Sequence, residues 1–379
     1  MKATHHSAPG DSAQVTFTVT PARKRTSEAE RERILASPDF GKVFSEHIAS
    51  ASWNHERGWH DGAIRPYGPI QLDPGTVVLH YAQAVFEGLK AFRQQDGGIA
   101  VFRPDAHAAR FRRSARRLAL PELPESAFIE AIELVLGLDQ DWVPSAPEHS
   151  MYLRPFMFAS EVTLSVHPSD RVEFMLIASP SGSYFPSGVR PVTVWLSEEF
   201  SRAAPGGTGE AKTGGNYAGS LLAQAQAAEQ GCDQVVWLDA AERRWVEEMG
   251  GMNLFFVLGT GTKARLLTPE LTGTLLPGIT RDTLLTLGQD LGYEVEEGRI
   301  SVEQWRAGCA DGSLTEAFAC GTAAVITPVG AVKSGHGSWV VGDGQPGNIT
   351  MKLRQSLVDI QRGAAPDPHE WMRALPARE

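Results

Sequence analysis

Residues 206–220 read GGTGEAKTGGNYAGS. A lysine set among so many glycines first has to be read as a phosphate loop. Gly206 to Thr213 nearly spells the GxxxxGK[ST] pattern, with Ala211 where the second glycine belongs, and VVWLDA, ending at Asp239, imitates the acidic strand that accompanies it. Two features count against that reading. The helix of a phosphate loop begins at its Lys-Thr pair, whereas Lys212-Thr213 is followed by Gly214-Gly215, so the helix is expected to start only at an Asn216 N-cap. The Ala211 Cβ would also crowd amides that must approach the phosphate. What remains is a lysine on a Gly-flanked loop where a bulky ligand can come close. Partly desolvated, such a lysine can condense with an aldehyde.

The sequence around this loop supplies the rest of a site. VEEMGGMNLFF places Glu247 and Glu248 at a strand end before a glycine pair, where a carboxylate can face a protonated ring nitrogen. LLPGITRDTLLTLG is a Pro-Gly turn into a helix capped by Thr280, whose bare amides suit a phosphate. ACGTAAVITP adds a second small-residue turn with a hydroxyl, Thr322. A lysine for an aldehyde, an acid for a pyridinium and two phosphate-binding turns together describe a pyridoxal 5'-phosphate site.

Composition agrees with an enzyme of this kind. The chain has 379 residues, 42% hydrophobic and 21% charged, as in a soluble globular protein of two or three domains. A net charge of -10 argues against general nucleic-acid binding. Cys232, Cys309 and Cys320 form no CxxC, the histidines show no paired spacing, and no metal site is assigned. The opening MKATHHSAPGDSAQ lacks an apolar core, so it is no secretory signal; the first 26 residues read as a mobile arm in preference to a transit peptide, and the cytoplasm is the expected compartment.

Strand and turn texture fills 36–102, including a hairpin turn at QDGG, 95–98. Helices are expected at 27–35, 105–120, 125–137, 216–230 and 281–291. On the second of these, Ala108, Phe111, Ala115 and Leu118 form a buried stripe; Arg112, Arg113 and Arg116 point away, and Arg110 flanks the stripe. SGSYFPSGVRP, 181–191, is dense in Gly, Pro and Ser. It reads as the loop between a smaller domain, 1–186, and a larger cofactor-binding domain, 192–379, joined at 187–191. The tally is α+β without strict βαβ alternation.

Seven stretches in order, YAQAVFEGLKAFR, MYLRPFMFASE, SGSYFPSG, GGTGEAKTGGNYAGS, EEMGGMNLFF, LPGITRD and ACGTAAVITP, resemble the branched-chain amino acid aminotransferases. The resemblance covers about residues 40–330. It implies a two-domain D-amino-acid-aminotransferase-like fold, fold type IV of the pyridoxal phosphate enzymes, with the cofactor in the cleft between domains. It implies reversible transfer of the amino group between L-leucine, L-isoleucine or L-valine and 2-oxoglutarate. Relatives acting on D-amino acids, or as aminodeoxychorismate lyases, match the YLRP and EGLKAFR blocks less well.

The same resemblance implies roles for individual residues. Lys212 would bond the cofactor's aldehyde carbon and later shuttle the proton, Tyr217 would hydrogen-bond the phenolic oxygen, and Glu248, favoured over Glu247, would pair with the ring nitrogen. Arg110, Ile279, Thr280 and Thr322 would bind the phosphate. Phe40, Tyr81, Phe86, Tyr152 and Tyr184 would line the substrate pocket. Arg154 would receive the glutamate side chain, and the Thr322-Ala323 backbone the α-carboxylate. A homodimer is implied, with Tyr81 and Val166 reaching the partner's pocket. The thiol pair that some members carry after the second turn is absent here, its positions being Ala324 and Thr327, and Gly251 replaces a threonine of some relatives.

Overall fold

A computed structural model of the chain describes residues 15–184 and 188–376. Its long strands carry the alternating or continuously apolar patterns expected of half- and fully buried sheet. Ser150–Ala159 is the centre of the first sheet, paired on one side with Arg171–Ser181 and on the other with Leu89–Arg93 and the short Ala84–Phe86. Helices Pro104–Arg117 and Glu125–Leu138 cover this sheet, and Phe111 packs between Phe128 and Phe174 at ring distances of 5.5 and 6.0 Å. The hairpin at 95–98 forms as expected, with Gly97 at φ 86° and the Gly98 amide donating to Asp96 Oδ1.

The second sheet curls on itself. Val246–Met249 pairs with Gln234–Leu238 at one end of a six-strand path and with Met252–Leu258 at the other, so the six strands close into a barrel. Arg265–Pro269 and Glu294–Gly298 extend it. A third cluster, with Phe92 and Phe102 from the first sheet and Phe255, Phe318 and Leu353 from the second half, binds the two units together.

Several local expectations need correction. The helix after the lysine begins at Gly214, not at Asn216, and breaks at Gly219-Ser220 before Leu221–Glu229. Asn216 does not cap it: its side-chain amide is spent on the carbonyls of Thr208 and Ala211. Thr280 lies one residue inside its helix, Ile279–Asp290, and Gly278 is the N-cap, because the Pro-Gly turn already sets the entry. Within 36–102, Val77–Tyr81 forms a helical turn. Near the end of the described chain, Met372–Ala374 returns to pair antiparallel with Ile99–Phe102 of the first sheet. Residues 1–14 of the expected arm, and 185–187 of the expected inter-domain loop, lie outside the described residues. Phe17–Val19, within the arm's later part, pairs with Gly58–Pro66 and is fixed.

Candidate active site

The loop bearing Lys212 is tied down on both sides. Its amide donates to Ser114 Oγ at 3.0 Å and its carbonyl accepts the Phe86 amide, while the Thr213 hydroxyl donates to the Ala84 carbonyl. Edge strand Ala84–Phe86 of the first sheet thus holds the loop of the second. The Lys212 ammonium stands in a cleft between the sheets, donating to the Tyr217 hydroxyl at 2.9 Å, 5.0 Å from the Phe86 ring centre. Gly214 and Gly215, where an added Cβ would meet nothing within 4 Å, leave the loop's outer side open, while the Lys212 side chain itself lines the cleft.

The cleft encloses about 290 Å³ and is lined from both units. Phe40, Phe86, Arg110, Tyr152, Arg154 and Tyr184 come from the first, and Lys212, Tyr217, Ile279, Thr280, Thr322 and Ala323 from the second. Arg154 donates to the Tyr152 hydroxyl at 3.0 Å and lies over the Phe86 ring, so one cation is set in an otherwise aromatic wall. Burial pushes the Tyr184 hydroxyl's pKa up. Close approach requires glycine at Gly88, where a Cβ would fall 1.9 Å from the Tyr152 hydroxyl. Gly251 has less room than its lack of a side chain suggests, for a Cβ there would lie 3.2 Å from the Tyr217 ring.

Strand alternation separates the two consecutive acids. Glu248 is buried on the cleft's side of the strand, where its carboxylate accepts the Leu276 amide at 2.8 Å and the Asn253 side-chain amide at 3.3 Å and faces Arg202 at 2.9 Å. Leu276 and Asn253 themselves line the cleft. Glu247 turns the other way, into a separate cavity with Trp245 and Arg299, and accepts the Thr274 hydroxyl. Burial raises the pKa of both acids; at Glu248, Arg202 and the Leu276 amide oppose that rise.

One turn connects the charged parts. Leu276 gives its amide to Glu248, Pro277 gives its carbonyl to Arg110 Nη1, and Gly278 begins a helix with no side-chain cap, leaving its first amides for a ligand. Arg110, which only flanks the stripe on the wheel, is buried and held by an acid that no sequence motif marked. Glu87 accepts Arg110 Nε at 2.7 Å and Nη2 at 2.8 Å, and contacts His107 Nδ1 at 2.7 Å. Burial would raise the Glu87 pKa, but the Arg110 guanidinium, with the His107 ring beside it, more than reverses that and holds the carboxyl far below its ordinary range. An acid inside the apolar run AVFEGL was the available signal, since a buried charge requires a partner. Arg202 and Lys90 carried no comparable mark.

Tyr81 and Val166 are not brought to this chain's own cleft. Val166 is 81% exposed, and Tyr81, half exposed, donates to the Leu164 carbonyl at 2.7 Å. Cys320 is buried at the cleft's edge, its thiol pKa pushed far up by burial. Among the described residues no group of three or more acidic, histidine or cysteine side chains could hold a metal.

The donor set fits pyridoxal phosphate. It offers a lysine beside open space, a buried carboxylate for a cationic ring nitrogen, and an arginine with uncapped helix amides for a dianion. Comparison with known proteins agrees. Residues 84–332 match the family "Amino-transferase class IV". The chain is 58% identical to the branched-chain-amino-acid aminotransferase of Mycolicibacterium smegmatis, over 96% of this chain and all of that one. Among solved structures, the branched-chain amino acid aminotransferase of Escherichia coli superposes with a TM-score of 0.72 at 29% identity, covering 87% of this chain and 99% of that one. The branched-chain amino acid aminotransferase of Thermobaculum terrenum, solved in its PLP form, gives 0.70 at 25% identity, over 88% and 99%.

Proposed function

The chain belongs to the class IV aminotransferases, and from that premise we propose how its residues carry out the work of a branched-chain amino acid aminotransferase. The reaction moves an amino group reversibly between L-leucine, L-isoleucine or L-valine and 2-oxoglutarate. Pyridoxal 5'-phosphate, when bound, supplies a protonated ring that absorbs the electron pair left at the substrate Cα. Everything else falls to the protein.

Lys212 Nζ would take the proton from the substrate Cα and give it up again, acting as general base and then acid. Tyr217, within hydrogen-bond reach of Nζ, orients it. Glu248 would pair with the ring nitrogen and favour its protonated form, and Arg202 beside it opposes the rise that burial imposes on its pKa. Arg110, the amides of Ile279 and Thr280, and the Thr322 hydroxyl bind the phosphate. The Thr322-Ala323 backbone receives the α-carboxylate. Phe40, Phe86, Tyr152 and Tyr184 accept an aliphatic side chain, while Arg154 lets the same pocket take the glutamate propionate, so one cavity serves both half-reactions. The observation that carries this reading is the Lys212–Tyr217 contact in a cleft whose lining residues Asn253 and Leu276 are bonded from behind by buried Glu248.

The protein works as a homodimer in the cytoplasm. Exposed Leu79, Val162, Leu164 and Val166 make an apolar patch beside Tyr81, of the kind that interfaces cover. Through it Tyr81 and Val166 reach the partner's pocket. No helix among the described residues is long and apolar enough to cross a membrane. The test is amino transfer from L-leucine to 2-oxoglutarate together with the solution mass. Glutamate formation from L-leucine but not D-leucine by a dimer is expected. No glutamate would reject the activity, and a fully active monomer the partner contacts.

A further inference from the structure

Lys90 belongs to the first sheet, on strand Leu89–Arg93, yet it reaches the second unit. Its ammonium, 7% exposed as a residue, donates to the Ala323 carbonyl at 2.8 Å. A buried ammonium is costly unless its charge is met. No carboxylate forms an ion pair with it among the described residues. Glu148, the acid that acts on it, is itself bonded to Arg354 at 2.8 Å, and burial, with Arg354 adding to it, holds the Lys90 pKa down to about 8. The residue is therefore not explained as half of a salt bridge.

What it holds is the turn between Leu314–Gly321 and Val325–Ser334. Val325, which pairs with Gly321, stands at φ 62°, a conformation a β-branched side chain adopts only when its surroundings impose it. In a trans peptide the carbonyl and the amide of one plane point in opposite directions. Drawing the Ala323 carbonyl toward Lys90 turns the Ala324 amide to the opposite side. Thr322, Ala323 and Ala324 all line the cleft.

We propose that Lys90 is a positioning residue for substrate carboxylate recognition: by anchoring the Ala323 carbonyl across the domain junction it fixes the turn's amides toward the α-carboxylate, and its buried charge adds attraction for that group. This rests on the turn receiving the α-carboxylate, as proposed above. Every substrate of both half-reactions carries that carboxylate, so loss of Lys90 raises KM for leucine and for 2-oxoglutarate together while kcat holds within about twofold.

The test uses the holoenzyme and two non-reacting probes of one shape, 4-methylpentanoate and 4-methylpentan-1-ol, with dissociation constants measured by calorimetry. Wild type binds the acid more tightly than the alcohol. Lys90→Met loses about tenfold in acid affinity, from a turn no longer held in register, with the alcohol and cofactor affinities unchanged. Lys90→Arg restores most of the discrimination. If Lys90→Met does not fold, Lys90→Gln, which keeps a donor without the charge, shows the same selective loss to a smaller extent. Unchanged acid affinity, or equal loss for acid and alcohol, overturns the proposal in favour of a plain structural tie. A wild type indifferent to the carboxylate removes the reading of the turn, and the role of Lys90 with it.

Discussion

Arg202 Nε lies 2.9 Å from Glu248 Oε2, and both side chains are buried. A carboxylate buried behind the lining of a ligand cleft would protonate readily if it were alone, because burial disfavours its charge. The arginine and the Leu276 amide supply the opposing interaction. They offset burial only in part, and the Glu248 pKa stays raised; a cationic ring nitrogen beside it would add further attraction for the anion.

Glu248→Gln removes that anion without changing its shape. The variant should still bind the cofactor through Arg110 and Lys212. Its kcat should fall about 10²-fold, the scale on which a preorganised charge acts on a developing charge. Single-turnover kinetics check this; an unchanged proton-transfer rate would remove Glu248 from the mechanism.

Arg202→Met leaves the acid but removes its neighbour. Arg202 lowers the Glu248 pKa, so its loss lets the carboxyl take a proton more easily and the pKa rises. Glu248 works ionised, and the acidic limb of the pH–kcat profile should therefore move to higher pH. An unmoved limb would show that Glu248 is held ionised without Arg202.

Glu87→Gln breaks a buried charge cluster rather than a reaction step. Leaving Arg110 and His107 without their acid should cost about 3–5 kcal/mol of stability near neutral pH. The sign follows from the depressed folded-state pKa. The stabilisation is complete above the unfolded glutamate value of about 4.3 and is lost as pH falls toward the folded one. Urea unfolding at several pH values should show wild type and variant converging below about pH 4. Cofactor affinity should fall too, since Arg110 loses its brace.

Much of this was readable from sequence because it is local. Turn chemistry at 95–98, the amphipathic stripe around Phe111 and the apolar strands all follow from patterns a few residues long. Lys212, Tyr217 and the Pro-Gly turn lie in short motifs of known chemistry. The relations that position them are long-range. Glu87 and Arg110 are 23 residues apart, Leu276 and Glu248 are 28, and Lys90 and Ala323 are 233. Nothing local marks such pairs. The two consecutive acids differ in which strand face meets the cleft, and the pairing of Glu248 with Asn253, a lining residue, puts Glu248 on that side. The helix start at Gly214 was misplaced because two glycines read as a helix breaker. The structure instead holds them between a pinned Thr213 and Tyr217.

Lys212→Ala should leave the fold intact, since the loop is held by backbone contacts to Ser114 and Phe86 rather than by the lysine side chain. Transamination should fall to background, at least 10²-fold on the scale of losing a positioned general base. Circular dichroism and an amino-transfer assay on the same sample check both halves.

The most direct test of the lysine-centred site is the visible absorption of the purified protein loaded with pyridoxal phosphate, before and after L-leucine is added. A yellow band that bleaches with leucine, returns with 2-oxoglutarate, and is altered at the outset in Lys212→Ala is the predicted result. A wild-type protein that stays colourless, or a leucine-responsive band that survives unchanged in Lys212→Ala, would contradict it.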